Sequence, residues 1–202
     1  MKIVYWTDKK ILPYLIKMLQ FENVILGDTD TVLGLFSPVS QKGFNKLNII
    51  KKREDKPYLI LIASKIQLNY FVDIKNLLPS VKKLIDNCWP GPVTLIFNAK
   101  QTILNFIKSK QGTIALRVPD HAGLQQLLPH FTGLFSTSAN ISSEPIPQKI
   151  AEVNGQIIKQ VPCAVLNKKE KLNKSVPSTI IDCSGEKIVV VRAGAYSINE
   201  VR

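Results

Sequence analysis

The chain has 202 residues, 45% of them hydrophobic, which suits one domain with a real core at roughly 100–200 residues per domain. Its 27 Lys and Arg against 15 Asp and Glu give a formal net charge of +12, which favours anionic partners without naming the anion. No apolar run approaches the roughly 20 residues of a membrane span, Met1 to Lys10 carries no apolar export signal, and Cys88, Cys163 and Cys183 lie too far apart for zinc or redox pairs, so a cytoplasmic chain with reduced thiols, no membrane contact and no metal cage is expected.

Asp8 has the position to cap a helix running to about Gln20, with Ile11, Leu12, Leu15, Ile16 and Leu19 on one stripe. Asn23 to Leu26 reads as a strand stopped by Gly27, which feeds the polar turn Asp28-Thr29-Asp30-Thr31 and then Val32-Leu33-Gly34-Leu35. From Ser40 to about Lys51, Phe44, Leu47 and Ile50 recur at helical spacing, and that helix delivers Lys51-Lys52-Arg53 at its end. Tyr58 to Ile62 is a short apolar run, as in an interior strand covered on both faces. Two helical segments follow, roughly Lys65 to Phe71 and Leu77 to Cys88, before Trp89-Pro90-Gly91-Pro92 breaks the chain.

Strands are predicted at Val93 to Phe97 and Thr113 to Val118, a helix from Pro119-Asp120-His121 to about His130, and a strand at Leu134 to Thr137. A helix over roughly Gln148 to Val153 and strands at Cys163 to Leu166, Thr179 to Asp182 and Lys187 to Val191 come next. Ser197 and Glu200 have capping-box spacing for a short final helix, and Asn167 to Val176 is the most loop-like stretch. Helices alternate with strands early and strands cluster late. That order predicts an α/β fold: a twisted open sheet, mixed parallel and antiparallel, with flanking helices, in a single domain over residues 1–202.

Ligands of open α/β sheets bind beyond strand ends, and polar or cationic groups collect where these strands end: Thr29 and Thr31, Lys51 and Arg53, Arg117, Ser136 to Asn140, Ser178 and Arg192. Together they outline a concave basic binding surface. The densest stretch, Ser136-Thr137-Ser138-Ala139-Asn140, reads either as turn and cap residues or as a site that holds a polar ligand at close range. Only four of the 27 cations are Arg, the side chain whose fork matches carboxylate and phosphate. Arg53, Arg117 and Arg192 are therefore candidate ligand residues, with structural ion pairs as the other reading. The spread lysines, Lys42, Lys46, Lys82, Lys83, Lys168, Lys169, Lys171 and Lys174 among them, suit a solvated surface or one facing RNA. Asp28 and Asp30 either shape the turn or meet a divalent cation. His121 and His130 share no helix face and adjoin no nucleophile, which leaves capping or surface roles. There is no Walker lysine loop and no GxGxxG.

Seven motifs stand in order from about residue 8 to residue 200: Thr29-Asp30-Thr31-Val32-x-Gly34-Leu35, Lys51-x-Arg53 with Lys56-Pro57, Trp89-Pro90-Gly91-Pro92-Val93-Thr94, Arg117-Val118-Pro119-Asp120-His121, Ser138-Ala139-Asn140, Pro177-Ser178-Thr179-Ile180 and Arg192-x-Gly194. Together they resemble the YrdC-like threonylcarbamoyl-AMP synthases, in the single-domain form. The resemblance implies an enzyme that joins L-threonine, bicarbonate or CO2, and ATP into threonylcarbamoyl-AMP and pyrophosphate, for the threonylcarbamoyl modification of adenosine 37 in tRNA. By motif, Thr31, Arg117 and Ser178 would bind threonine; Lys51, Arg53, Lys56, Thr113, Ser136, Ser138, Asn140 and Arg192 would bind ATP; and Lys51, Arg53, Ser138 and Asn140 would carry the catalysis. Mg2+ would arrive with ATP, held by phosphate oxygens and water. Partners implied are tRNA, through the basic surface, and a downstream threonylcarbamoyl transferase complex.

Four positions depart from the family pattern: Asp28 stands where Pro is usual, Leu33 where Tyr is, Phe36 where Gly is, and Glu54 where Pro often follows the Arg. Leu33 removes a ring and a hydroxyl from the entrance turn, and Asp28 is expected to add negative charge near an anionic substrate. Two other readings compete. One is an RNA-binding module without chemistry, supported by the +12 charge and opposed by the scarcity of paired aromatics in basic surroundings. The other is the carbamoyl-phosphate-using domain of hydrogenase maturation proteins, whose acylphosphatase and zinc-finger segments this sequence does not carry.

Overall fold

A computed structural model describes residues 1–53, 56–168 and 176–197. In chain order it contains strand β1 (Lys2–Tyr5), helix α1 (Ile11–Gln20), β2 (Ile25–Gly27), β3 (Gly34–Pro38), α2 (Gln41–Lys51), β4 (Leu59–Leu61), α3 (Leu68–Phe71), α4 (Pro79–Cys88), β5 (Val93–Asn98), β6 (Thr113–Arg117), α5 (Ala122–Leu127), β7 (Leu134–Ser138), α6 (Gly155–Gln160), β8 (Cys163–Leu166), β9 (Thr179–Asp182) and β10 (Val189–Arg192). The ten strands form one sheet in the order β1-β8-β2-β3-β7-β4-β6-β5-β9-β10. Pairings β1/β8, β2/β8, β4/β6 and β5/β9 are parallel, and the rest are antiparallel, so the mixed α/β sheet is as expected.

Local chemistry accounts for most of the element ends. Ser40 caps α2 by accepting from the Gly43 N–H at 2.9 Å, and α2 ends at Lys52 in the left-handed region (φ 48°, ψ 51°). Asp8 does not cap α1. Its carboxylate accepts from the Tyr5 N–H at 2.9 Å and its carbonyl from Ile11, closing a turn, and the helix begins at Ile11, early enough for Pro13 to lack a donor at no cost. The segment expected as a helix over Gln148 to Val153 is a single 3-10 turn, Ile150–Glu152; the helix lies just after it, capped by Asn154 Oδ1, which accepts from the Gln156 N–H at 2.9 Å. The final helix expected to follow Ser197, with Glu200, and most of the Asn167 to Val176 loop lie outside the described residues, as do Glu54, Lys169, Lys171, Lys174 and Arg202, while Ser197 itself is described.

Strand alternation divides the core in two. One set of side chains, Leu35, Ile60, Phe135, Leu116, Leu95 and Ile181, packs with Leu47 and Ile50 of α2 and Val81, Leu84 and Ile85 of α4. The other set, Val4, Phe36, Leu61, Leu134 and Val165, packs with Ile11, Leu15 and Leu19 of α1 and Leu124 and Leu127 of α5. Phe36 fills the space beside Gly27 and Gly34, so its bulk is a core feature. Leu33 is likewise a buried core residue. Helices α1 and α5 cover only part of their face. Beyond them the same face carries Ser136 and Ser138 of β7, Ala115 and Arg117 of β6, Thr94 and Ile96 of β5, and Ile180 of β9, which line an open cavity.

Candidate active site

The cavity has a volume of about 310 Å3 and runs across six adjacent strands, from Gly34 on β3 to Ile180 on β9, with Arg192 of β10 at its edge. Its residues therefore converge along the face of the sheet as well as at strand ends. The period-2 placement of Ser136 and Ser138, and of Thr94 within an apolar run, was the available sequence signal for this. Of the expected site residues, Thr31, Arg53, Arg117, Ser136, Ser138, Ser178 and Arg192 line the cavity.

Arg117 is the deepest cation. It is 2% exposed; Nη2 donates to Asp30 Oδ1 at 2.8 Å and Nη1 to Thr31 Oγ1 at 3.1 Å. The turn that supplies both acceptors is internally braced, with the Thr31 N–H donating to Thr29 Oγ1 at 2.9 Å and the Thr29 hydroxyl to the Val32 carbonyl at 2.8 Å. Asp30 also accepts the Asp120 N–H at 3.1 Å. Burial lowers the Arg117 pKa, the Asp30 carboxylate opposes that shift, and nearby Arg192 adds to it. Asp30 was legible only as a turn-former or a cation ligand, and its pairing with Arg117 is new information. Arg117 Nε is buried with no hydrogen-bond partner among the described residues.

The other two arginines frame the opposite sides. Arg53 Nη2 donates to the Pro57 carbonyl at 2.8 Å, its guanidinium lies 4.7 Å from the centre of the Tyr58 ring, and its Nε is a second buried donor without a partner among the described residues. Arg192 holds the Ser178 carbonyl through Nε at 3.2 Å and Nη2 at 2.7 Å, and the Ser178 hydroxyl lies 2.8 Å from Thr94 Oγ1. Burial is the first cause lowering the pKa of each. Two guanidinium groups with an unused buried donor, set among neutral hydroxyls, make a cavity suited to carboxylate and phosphate oxygens.

Lys51 and Asn140 do not line the cavity. The Lys51 ammonium donates to the carbonyl of Ser138 at 2.7 Å, to the carbonyl of Asn140, and to Asn140 Oδ1 at 3.0 Å, which uses all three of its protons. Asn140 Oδ1 also accepts from the Ser138 hydroxyl at 2.5 Å, and its Nδ2 donates to the Glu144 carbonyl. Lys51 thus fastens the end of α2 to the loop after β7. Desolvation first, then the neighbouring Arg53 charge, brings its pKa down to about 8, against a smaller opposing effect of Glu144. Lys56 is exposed and outside the cavity lining. Thr113 faces the same way as Ala115 and Arg117 but lies at the far end of β6, where its hydroxyl meets Ser109 Oγ at 2.7 Å.

Asp28 corrects an expectation: its carboxylate turns away from the cavity and accepts from Trp6 Nε1 at 2.6 Å and from the Asn167 N–H at 2.8 Å. His121 caps α5 by accepting the Leu124 N–H on Nδ1 at 3.2 Å, and His130 is exposed. All three cysteines are buried free thiols. Among the described residues, no group of three or more His, Cys, Asp or Glu is placed to hold a metal ion, and no helix is long and apolar enough to cross a membrane.

The family model for Sua5, YciO and YrdC proteins, described as telomere recombination, matches residues 17–194. The chain belongs to this family. It is 31% identical over 195 residues to a putative threonylcarbamoyl-AMP synthase of Methanocaldococcus jannaschii, covering 96% of this chain and 90% of that one. To the threonylcarbamoyl-AMP synthase of Photorhabdus laumondii it is 38% identical over 147 residues, covering 71% and 78%. The fold of this family member matches P. abyssi Sua5 complexed with L-threonine at a TM-score of 0.87 and 23% identity, over 99% of this chain and 59% of that one. It also matches E. coli YciO at a TM-score of 0.84 and 18% identity, over 100% and 97%. The chain thus spans about three fifths of the length of the Sua5 protein but nearly all of YciO.

Proposed function

We propose that this family member is a threonylcarbamoyl-AMP synthase, a nucleotidyltransferase that uses L-threonine, bicarbonate or CO2, and MgATP. In this reading the threonine amino group adds to CO2 and loses a proton, giving a carbamate. A carbamate oxygen then attacks the α-phosphorus of ATP, the bond to the bridging oxygen of the β-phosphate breaks, and pyrophosphate leaves. Two anions must be brought together, so the protein's part is charge neutralisation and alignment. No side chain need act as a nucleophile.

The observation that carries the reading is Arg117 in its cavity, with Nη1 and Nη2 held by Thr31 and Asp30 and Nε left as a buried donor. Thr31 and Arg117 would hold threonine, with Ser178 closing over it. Arg53 and Arg192 would neutralise phosphate oxygens, with Ser136 and Ser138 as neutral hydrogen-bonding partners between them. Thr113, on the same face, and Lys56 would meet the nucleotide beyond Ala115. Lys51 and Asn140 would act by holding the Ser138 end of β7 in place, since their polar atoms are committed to one another. Mg2+ enters as part of the MgATP substrate, because Asp28 and Asp30 are already engaged by other groups.

The relatives' names support the same chemistry. The +12 charge supports a contact with tRNA, whose adenosine 37 would receive the threonylcarbamoyl group from a downstream transferase complex in the cytoplasm. The test is pyrophosphate release from protein supplied with threonine, bicarbonate and MgATP. Release should require threonine and vanish in Arg117→Ala; release no greater than in a control without threonine sinks the reading.

A further inference from the structure

The cluster behind the cavity has a built character that the proposed chemistry leaves unused. Asp28 is 8% exposed, and its two carboxylate oxygens take different donors: Oδ1 the indole N–H of Trp6, Oδ2 the backbone N–H of Asn167. His121 Nε2 lies 3.6 Å from Oδ1 and 3.2 Å from Asn167 Nδ2, and its ring stands edge-on to Trp6 with centroids 5.3 Å apart. Trp6 is seated without slack, for a methyl group on Gly123 would come within 2.2 Å of its Cδ2.

Asp30, two residues on, grips the same neighbouring stretch from the cavity side through Arg117 Nη2 and the Asp120 N–H. Asp30 therefore holds the stretch 117–121 at both Arg117 and Asp120, and Asp28 approaches it at His121, with Thr29 and Thr31 lining the cavity from the same turn. We propose that Asp28 is a positioning residue: anchored by Trp6 and Asn167 beside His121, it fixes the turn that sets Asp30 and Thr31 against Arg117. The identity of the ligand affected, threonine, rests on the activity proposed above. Both carboxylate oxygens matter, because an asparagine offers a single acceptor oxygen and satisfies one donor while its amide faces the other.

The full chain carrying Asp28→Asn tests this, with Trp6→Phe as a second variant that keeps a ring on Gly123 and removes the indole donor. Hydrogen exchange at the Asp120 amide, which ends on Asp30, should quicken about tenfold in both variants, the scale of one lost hydrogen bond to a charged group, while exchange at Ile181 in β9 stays unchanged. In steady-state assays KM for threonine should rise about tenfold with kcat and KM for ATP within about twofold of wild type. Unchanged Asp120 exchange, or equal quickening at Ile181, overturns the proposal. A wild-type protein that releases no pyrophosphate with threonine overturns the assigned activity instead, and the exchange at Asp120 still decides whether Asp28 positions the turn.

Discussion

Arg117 Nη2 and Asp30 Oδ1 meet at 2.8 Å between side chains only 3% and 8% exposed. Removing both charges from water costs nearly what their attraction returns, so the pair is weak evidence for stability, yet losing one member strands a buried charge. Asp30→Ala should lower unfolding free energy by about 3–5 kcal/mol, and Arg117→Ala by a similar amount. In the double variant neither charge is stranded, so its cost in urea unfolding should fall short of the sum by about 1–3 kcal/mol. Simple additivity in that cycle would mean the two groups do not depend on each other.

The Lys51 ammonium should titrate near pH 8 in the folded protein, well below the ordinary 10.5, because burial and the Arg53 charge oppose it. Between those values the unfolded chain binds more protons than the folded one, so stability rises with pH through this window; the contribution is complete above 10.5 and is lost as pH falls through 8. Its full size is about 3 kcal/mol by linkage. Lysine side-chain NMR shifts followed over pH locate the midpoint, and Lys51→Met should flatten that part of the stability curve. A Lys51 midpoint at the ordinary value would contradict the proposed burial effect.

Thr94 and Ser178 meet hydroxyl to hydroxyl at 2.8 Å, and both residues are buried, at 1% and 5% exposure. Thr94→Val keeps the shape and removes the partner. The Ser178 hydroxyl is then left with the 3.3 Å contact to Arg192 alone, and thermal unfolding should show a loss of about 1–2 kcal/mol. If the variant is as stable as wild type, the hydroxyl pair contributes nothing.

Much of this arrangement was legible before any coordinates, and the misses have physical causes. Thr179 to Asp182 could be read as a strand to the residue, and Ser40 ahead of Phe44, Leu47 and Ile50 marked the start of α2, because capping and periodicity are local. Lys2–Tyr5 went unread: four residues carry little periodicity, and the strand is fixed by pairing with Cys163–Leu166 at the other end of the chain. The helix expected over Gln148 to Val153 lies instead at Gly155–Gln160, because the Asn154 side chain, accepting from the Gln156 N–H, sets its start. Arginine scarcity pointed to Arg53, Arg117 and Arg192, all three of which line the cavity. Lys51, expected to meet ATP, has its protons engaged by acceptors 87 and 89 residues away, and nothing in sequence spacing tells which cation is already so engaged.

Gly194 supplies the most local test of how β10 serves the cavity. Strand β10 is exposed along its length and, among the described residues, pairs only with β9, yet it must hold Arg192 against the Ser178 carbonyl. The chain turns just after it with the Ala195 N–H on the Pro177 carbonyl at 2.9 Å. A methyl group at 194 would lie 2.3 Å from that carbonyl oxygen and 2.5 Å from both the Ser178 carbonyl carbon and the Thr179 nitrogen, all backbone atoms that cannot rotate away. Gly194→Ala should therefore push residues 192–195 off the 177–179 segment and take the Arg192 guanidinium with it. Because β10 is an edge strand with little buried side-chain area, the stability cost should stay near the lower end of the usual 1–3 kcal/mol for an overpacked contact, about 1 kcal/mol. The activity cost should be larger, about tenfold in kcat/KM for ATP, the size of one lost charged hydrogen bond. Comparison with Arg192→Ala separates the two routes: if displacement of the guanidinium is the cause, Gly194→Ala and Arg192→Ala should lose similar activity and the double variant should lose little more, whereas fully additive losses would assign Gly194 an effect of its own.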